Sequence, residues 1–421
     1  MNQLKRVKGT QDLLPEESYK WIALENKIRH VMLRYNFSEM RTPVFEQTEL
    51  FARGIGQLTD IVSKEMYTFL DRGKKQLTLK PEMTAPIMRA YLENKIYAQT
   101  QISKIFYLAP LFRQENPQAG RLRQFHQFGA ETIGSAAADA DVEIIDLALT
   151  VYDSIGLKNL KLYLNSIGDA EDRVLYKKIL QEFIKPNLEK YCTDCQRRYY
   201  ENPMRILDCK NETCNALNKN APKIAEHLLA ESRNHYTRVK SQLEALNIKF
   251  EENPYLVRGL DYYTRTVFEI TSDALGAQNA ICGGGRYDLL AEELGGAPTP
   301  AVGFASGIER LLMVAENQKI SLANPKRLNV FLIAMGEKAQ NESMLWLKKI
   351  RQSGLMAEQD LLSRSVKAQM REANRQNAEF VLLLGEDELQ KKAFSVKLMD
   401  EGTQLDIPFN KLIGFLREKT V

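Results

Sequence analysis

The sequence predicts an α+β domain built on a mostly antiparallel sheet flanked by helices and interrupted by a helical insertion. A smaller α/β domain follows it. Three observations carry this. Two pairs of apolar-rich runs, 66–82 and 104–134, are joined by turn formers, as in hairpins. Between about 168 and 250 the pattern becomes helical, polar and cysteine-bearing. Beyond 326, strand and helix patterns alternate, the grammar of a small α/β fold. We therefore place one domain at 1–325, with the insertion inside it, and a second at 326–421.

Taken in order, 16–35 carries Ile28, Val31, Met32 and Tyr35 at helical spacing. The stretch Met40–Phe45 reads as extended, but Pro43 restricts it to an edge or a strand start. MYTFLD and QLTLKPE flank Arg72-Gly73-Lys74-Lys75, a hairpin. KIFYLAPLFRQE (104–115) and RQFHQFGAETIG (123–134) form a second antiparallel pair around the polar loop NPQAGRL. A helix is expected at 139–154, strands at 265–270, 280–285 and 301–306, and a helix at 307–316. After the polar stretch 316–326, strands are expected at 327–335, 354–358, 378–385 and 393–399. Helices are expected at 339–353, 363–376 and 409–419.

Composition excludes several classes. With 44% hydrophobic and 27% charged residues, the 421-residue chain is neither disordered nor fibrous. No run of about 18 apolar residues argues for a membrane helix. MNQLKRVKGTQDLLPEE lacks the apolar region of a secretory signal, so a cytoplasmic location is expected. A net charge of +4 is too mild to indicate nucleic-acid binding by itself. No GxGxxG or GxxxxGK[ST] loop supports a dinucleotide site or a P-loop.

Four segments concentrate chemistry. FRQENPQAGRLRQFHQFGAE (112–131) packs Arg113, Glu115, Arg121, Arg123, His126, Gln127 and Glu131 onto two strands and their loop. Alternation puts Gln127, Gly129 and Glu131 on one face and lets Arg113 and Glu115 share another. A solvated sheet face is the bland alternative. It accounts poorly for so many arginines beside Phe112, Phe125 and Phe128, whereas sheet-anchored arginines suit phosphate. LVRGLDYYTRTVFE (256–269) offers Arg258, Asp261, Tyr262 and Tyr263. ICGGGRYD (281–288) has three glycines that admit close backbone approach, although a plain turn would explain them too. In GFASGIERLLM (303–313), Arg310 projects from the first turn of a helix at what could equally be a packing joint.

Together these segments resemble the signatures of class II aminoacyl-tRNA synthetases, and specifically of the histidyl-tRNA synthetase family. KGTQDLLP (8–15) and YNFSEMRTPVFE (35–46) resemble its N-terminus and first class motif. FRQENPQAGRLRQFHQ and GFASGIERL resemble the second and third. LVRGLDYYTRTVFE and AICGGGRYD resemble the two histidine-type segments, and TLKPEMTAPIMRA (78–90) the amino-acid-binding stretch. Met83 and Ala119 depart from the usual pattern, and Ala119 removes one phosphate contact to tRNA.

The resemblance implies residue roles. Arg113, Glu115, Arg121 and Arg310 would bind ATP, with Arg113 on the α-phosphate and Arg310 on the far phosphates. Glu82, Thr84, Gln127, Glu131, Tyr262, Tyr263 and Tyr287 would hold histidine, the carboxylates on its ammonium and the tyrosines around its imidazole. Arg258 and Arg113 would be the catalytic pair, Arg258 reaching the α-phosphate and the carboxylate. Gln118 and Arg123 would meet the acceptor end of tRNA(His). The resemblance further implies Mg²⁺ with the nucleotide, a homodimer and an anticodon-binding C-terminal domain. The chemistry agrees with an arginine-rich, base-poor site: a carboxylate is already an ionised nucleophile, so positioning and charge neutralisation suffice. His126 reads accordingly as an orienting residue. A rival reading is a histidine-binding regulatory paralogue; it would be expected to lose the arginines present here.

Two features stand apart. Cys192, Cys195, Cys209 and Cys214 have the spacing C-x₂-C-x₁₃-C-x₄-C, which could hold a structural zinc ion. Four free thiols are the alternative; ligation chemistry does not need the metal, so sequence does not favour zinc. Arg364, Lys367, Arg371 and Arg375 follow 3, 4, 4 spacing, a stripe on one helix face with Leu362, Val366, Met370 and Ala373 toward the core. Such a stripe is ordinarily solvated; on an anticodon-binding domain it would also serve as a phosphate track.

Overall fold

The computed structural model describes residues 3–56, 59, 61–118, 120–209, 211–276, 279–323 and 327–420. Ala119 lies outside them. The chain divides into two compact units, Met1–Ala323 and Asn324–Val421.

The first unit opens with helix α1 (Pro15–Arg34), started by proline at a position where its missing N–H costs nothing. It buries Trp21, Leu24, Ile28, Val31 and Met32. The stretch expected to be extended through Phe45 is instead split. β1 (Ser38–Glu39) and β2 (Phe45–Gln47) enter different sheets, with Pro43 in the irregular backbone between them. After α2 (Thr48–Ile55), β3 (Tyr67–Leu70) and β4 (Gln76–Leu79) form the expected hairpin and pair with β2 in a three-stranded sheet. Helix α3 (Thr84–Glu93) follows.

The main sheet is built from β5 (Ser103–Phe112), β6 (Gln124–Ile133), β7 (Leu160–Ser166), β9 (Thr264–Ser272), β10 (Ala280–Arg286) and β11 (Ala301–Gly307). With β8 (Glu251–Glu252) the eight strands run β1-β5-β6-β11-β10-β9-β7-β8. The six central strands are all antiparallel; only the short edges β1 and β8 pair parallel. Helix α4 (Ala138–Ile155) packs its apolar face on this sheet, and α10 (Ile308–Asn317) follows β11 directly. The insertion comprises α5 (Ala170–Ile184), α6 (Thr193–Glu201), α7 (Glu212–Asn218) and α8 (Ala230–Ala245). A short helix, α9 (Leu290–Glu293), sits between β10 and β11.

A buried ion pair ties α4 to the sheet. The fully buried Arg286 donates to Asp141 at 3.0 and 2.9 Å, to Asp288 at 2.9 Å, and to the Ser135 and Ala137 carbonyls. His235 of α8 lies 3.3 Å from the same Asp141. Burial alone would push the Asp141 carboxyl up, but the His235 hydrogen bond and the charge of Arg286 outweigh it and hold it below its usual value.

The second unit is a five-stranded sheet in the order β13-β12-β14-β15-β16. Its elements are β12 (Val330–Ala334), α11 (Glu337–Gln352), β13 (Ala357–Gln359), α12 (Val366–Arg375), β14 (Phe380–Leu384), α13 (Glu386–Lys391), β15 (Ala393–Leu398), β16 (Gln404–Pro408) and α14 (Leu412–Lys419). The first three strands are parallel to one another and β15 and β16 are antiparallel additions. Sequence patterning missed β16, whose QLDIP is exposed, and the one-turn α13.

The basic stripe is corrected. α12 begins at Val366, so Arg364 precedes the helix and folds back onto Asp360, at 2.5 Å, and Glu372, at 3.6 Å. Arg375 pairs with Glu372 as well. Leu362 and Val366 are exposed rather than core-facing; Gln369 and Ala373 are the buried positions. The helix therefore presents Lys367 and Arg371 as its exposed cations outside those carboxylate pairs, their closest contact being an Arg371 Nε to Lys367 carbonyl bond at 3.5 Å.

Candidate active site

A cleft of about 300 Å³ opens on the face of the main sheet formed by β5, β6, β10 and β11. It gathers residues from the four segments that concentrate chemistry and from the 78–90 stretch. Glu82 and Thr84 come from the start of α3, Arg113 and Glu115 from just past β5, Arg121 from the following loop, and Gln127 from β6. Arg258, Tyr262 and Tyr263 come from the segment before β9, Tyr287 from after β10, and Arg310 from α10.

Its inner end is acidic and aromatic. Glu82 is buried, and its carboxylate accepts from the Thr84 and Ala85 amides at 2.7 and 2.9 Å, at the positive end of α3. Glu131 does not line the cleft; it sits beneath the floor at 1% exposure, accepting from the Thr84 hydroxyl at 2.9 Å and the Tyr287 hydroxyl at 2.5 Å. Gly303 faces it across the β6–β11 ladder, and a Cβ there would overlap the carboxylate. Burial raises the Glu131 carboxyl to about 8 despite both hydroxyl donors, and the charge of Glu82 adds to the rise. Tyr262 packs between Tyr263 and Tyr287, at ring separations of 4.8 and 5.6 Å. Tyr107, which the sequence reading overlooked, is fully buried at the same end, and its hydroxyl has no hydrogen-bond partner among the described residues.

The outer end is cationic. Arg113 donates from Nε to the Pro81 carbonyl at 3.0 Å and lies over the Phe125 ring at 5.2 Å. β5 stops at Phe112, so Arg113 and Glu115 lie on irregular backbone rather than on the strand expected for them. Glu115 pairs with Arg121 at 3.2 Å. Arg310 donates to the Gly120 and Ala280 carbonyls; burial and the nearby charge of Arg121 both push its pKa down.

Between the two ends, Arg258 donates to Glu269 at 2.8 Å. Its guanidinium lies on Gly283, where any Cβ would collide with it. This accounts for one of the three glycines. The Arg258 Nε is buried without a partner among the described residues. Glu269 was not anticipated; its signal was a carboxylate two strand positions from Val267, between Phe268 and Ile270. His126 is held by Glu309 through both its amide and its ring, with Trp21 edge-on at 4.9 Å, an oriented side chain. Gln118 closes a turn with Arg121, and Arg123 donates to the Glu115 carbonyl; neither lines the cleft. The four cysteines converge within the insertion.

The antiparallel sheet with arginines at one end of its open cleft, and a separate α/β unit behind it in the chain, is the class II aminoacyl-tRNA synthetase architecture. A model of the family "Histidyl-tRNA synthetase" matches residues 9–311, and one for "Anticodon binding domain" matches 329–419. The chain is 48% identical over 415 residues to a histidine–tRNA ligase of Geobacillus sp. (strain WCH70), covering 98% of each. It is 46% identical to that of Natranaerobius thermophilus, covering 98% of this chain and 99% of the relative. The structure of the apo histidyl-tRNA synthetase from S. aureus superposes with a TM-score of 0.85 at 38% identity, covering 99% of this chain and 100% of that one. The chain belongs to the histidyl-tRNA synthetase family.

Proposed function

We propose that the chain activates L-histidine with ATP to histidyl-adenylate and transfers the histidyl group to the 3′ end of tRNA(His). One observation carries this most directly: a single cleft joins a buried, carboxylate- and tyrosine-lined end to an arginine-lined end. The two halves match a zwitterionic amino acid with a polar ring and a polyphosphate.

In this reading the amino-acid ammonium meets Glu82, Thr84, Gln127 and the carboxyl of Glu131 beneath them. Tyr262, Tyr263, Tyr287 and Tyr107, whose hydroxyl has no partner among the described residues, surround the imidazole, which has one donor and one acceptor to satisfy. A site whose polar groups are left unpaired by an apolar competitor discriminates by roughly 10⁴-fold. Arg113, Arg121 and Arg310 bind the triphosphate of ATP, which arrives with Mg²⁺ on its phosphate oxygens as part of the substrate; Glu115 lies beside the nucleotide. The histidine carboxylate oxygen attacks the α-phosphorus, forming the acyl–phosphate bond while the bond to pyrophosphate breaks and pyrophosphate leaves with its electron pair. Arg258 and Arg113 neutralise the charge that builds on the α-phosphate. In the second step a ribose hydroxyl of the tRNA end attacks the acyl carbonyl and AMP departs. Gln118 and Arg123 face that end, and the C-terminal unit binds the anticodon stem-loop. The chain works in the cytoplasm as a homodimer, with 35–46 at the subunit interface. No described helix is long and apolar enough to cross a membrane.

The direct test is ATP–pyrophosphate exchange with each of the twenty amino acids and no tRNA. Exchange with histidine alone is expected. A folded protein that exchanges with none would favour the regulatory paralogue.

The Glu131 carboxyl gives a pH prediction. Its raised value means that in the ligand-free protein its contribution to stability is complete below the ordinary 4.5 and is lost as pH rises through about 8. Denaturant unfolding should therefore show the wild type losing stability relative to Glu131→Gln across that window; parallel curves would refute the assignment. When a substrate ammonium is bound, the carboxyl ionises. Histidine binding at neutral pH should then release a proton, seen as a buffer-dependent heat, and the Gln variant should release none.

A second prediction concerns tRNA. Changing Lys367 and Arg371 together to Gln should raise KM for tRNA and reduce the dependence of log affinity on log salt by about 2. An unchanged slope would remove α12 from the interface.

A further inference from the structure

We propose that Cys192, Cys195, Cys209 and Cys214 bind one structural zinc ion, and that this ion braces the loop that reads the amino acid. The first half needs no assumption about activity; the second rests on the function proposed above.

The four sulfurs lie within 4.8 Å of one another, and Cys192 and Cys209 Sγ are 3.8 Å apart. Zinc–sulfur bonds of about 2.3 Å in a tetrahedron place sulfurs about 3.8 Å apart. The thiols are thus already at, or within about 1 Å of, the spacing zinc requires, and all are unbridged. Four neutral thiols have little reason to converge on one point; as thiolates around a divalent cation they do. Donors to sulfur are also in place: the Cys192 amide points at the Cys214 sulfur at 3.3 Å. Cys195, Cys209 and Cys214 are buried, and only Cys192 is partly open. An all-sulfur tetrahedral set suits zinc or a single iron, not calcium or magnesium.

The local fold needs such a clip. Cys192 is the N-cap of the nine-residue α6 and Cys195 lies in its first turn, while Cys214 is in the seven-residue α7. Helices this short are marginal on their own. Besides the cysteines, Tyr191, Met204, Ile206 and Leu207 make up most of the buried apolar content of 191–214. Polar ties add to this: the Tyr191 hydroxyl donates to Asn218, the Asn218 amide donates to the Ile206 carbonyl, and Gln181 donates to the Tyr199 carbonyl.

The stretch between the second and third cysteines reaches the candidate active site. Asn202 donates to the Asp261 carboxylate at 3.1 Å, and Arg205 donates to the Arg258 carbonyl at 3.1 Å. The segment carrying Arg258, Tyr262 and Tyr263 is thereby tied to a strap whose two ends the zinc would fix.

The experiment is metal analysis of the purified full-length chain, with thiol counting in denaturant. One zinc per chain, absent from Cys195→Ser and Cys214→Ser, with five thiols titrated after chelation, is expected. Iron, no metal, or fewer than five thiols through disulfides would overturn the site. Should the Ser variants fail to fold, wild-type protein stripped with a strong chelator and reloaded with Co²⁺ provides the second reading. Thiolate-to-cobalt charge transfer with tetrahedral bands is expected, and an octahedral spectrum would refute the ligand set. For the bracing, hydrogen exchange on stripped protein should rise in both 199–207 and 256–263. Histidine affinity should fall about tenfold, the equivalent of two lost hydrogen bonds. Faster exchange confined to 191–218 would overturn the bracing and leave the zinc standing.

Discussion

Replacing Arg258 with Ala is expected to slow histidine-dependent pyrophosphate exchange by about 10²–10³-fold, while histidine binding weakens much less. The magnitude is that of removing one preorganised donor aimed at developing charge in a cleft sheltered from water. The geometry favours such preorganisation. One side of the guanidinium is spent on Glu269, its face rests on Gly283 and its Nε has no partner among the described residues. A side chain held this way loses little freedom when an anion arrives, so its value appears in the transition state rather than in ground-state affinity. Equal losses in exchange rate and in histidine affinity would mean that Arg258 is a binding group only. Gly283→Ala should reproduce part of the defect without touching any charge, because the added methyl displaces the guanidinium.

The second large effect concerns stability. Asp141→Ala should destabilise the first unit by about 3–5 kcal/mol, because it leaves Arg286 charged, fully buried and short of its main partner. At the size of this unit that lowers the melting temperature by roughly 10 °C. The linkage has a defined direction. The Asp141 carboxyl is held below its ordinary value, so its contribution is present at neutral pH and lost as pH falls through the native value. Acid unfolding of the wild type should therefore begin at the α4–α8 contact, where His235 shares the carboxylate. A variant as stable as wild type, or a loss independent of acidification, would refute this account. A double change to apolar residues of matched volume should cost less than the single change, since it removes both buried charges together.

Much of the chain was legible beforehand because its signals are local. The 66–82 hairpin and the β5–β6 pair follow from periodicity and turn residues and form as expected; the strand–helix alternation after 327 does too, apart from the added α13 and β16 and the later start of α12. Arg113, Arg258, Arg310 and the paired tyrosines stood out as chemically unusual residues in short motifs, and one cleft gathers them. The misreadings have physical causes. The stretch Met40–Phe45, read as extended and confined by Pro43 to an edge or a strand start, enters a strand only at Phe45, because the chain there passes from one sheet to another. α12 looked one turn longer than it is because Arg364 is in phase with the stripe, yet Asp360 and Glu372 capture it ahead of the helix. β7 alternates Leu160, Leu162 and Leu164 with Lys161, Tyr163 and Asn165 and was legible but overlooked, whereas the two-residue β8 exists because the sheet supplies its partner.

The sequence by itself determined the two domain patterns, the insertion, the family resemblance and the residue types available for chemistry, since each depends on spacing along the chain. Tertiary structure alone decided four other matters. It put Glu131 beneath the cleft floor, where burial raises its carboxyl to about 8. It set Glu269 against Arg258, and it left the Tyr107 hydroxyl without a partner among the described residues. It also brought the sulfurs of the four cysteines to within 4.8 Å of one another. These depend on which groups are desolvated together and which residues distant in sequence become neighbours. Burial and long-range proximity are properties of the packed chain that no local spacing encodes.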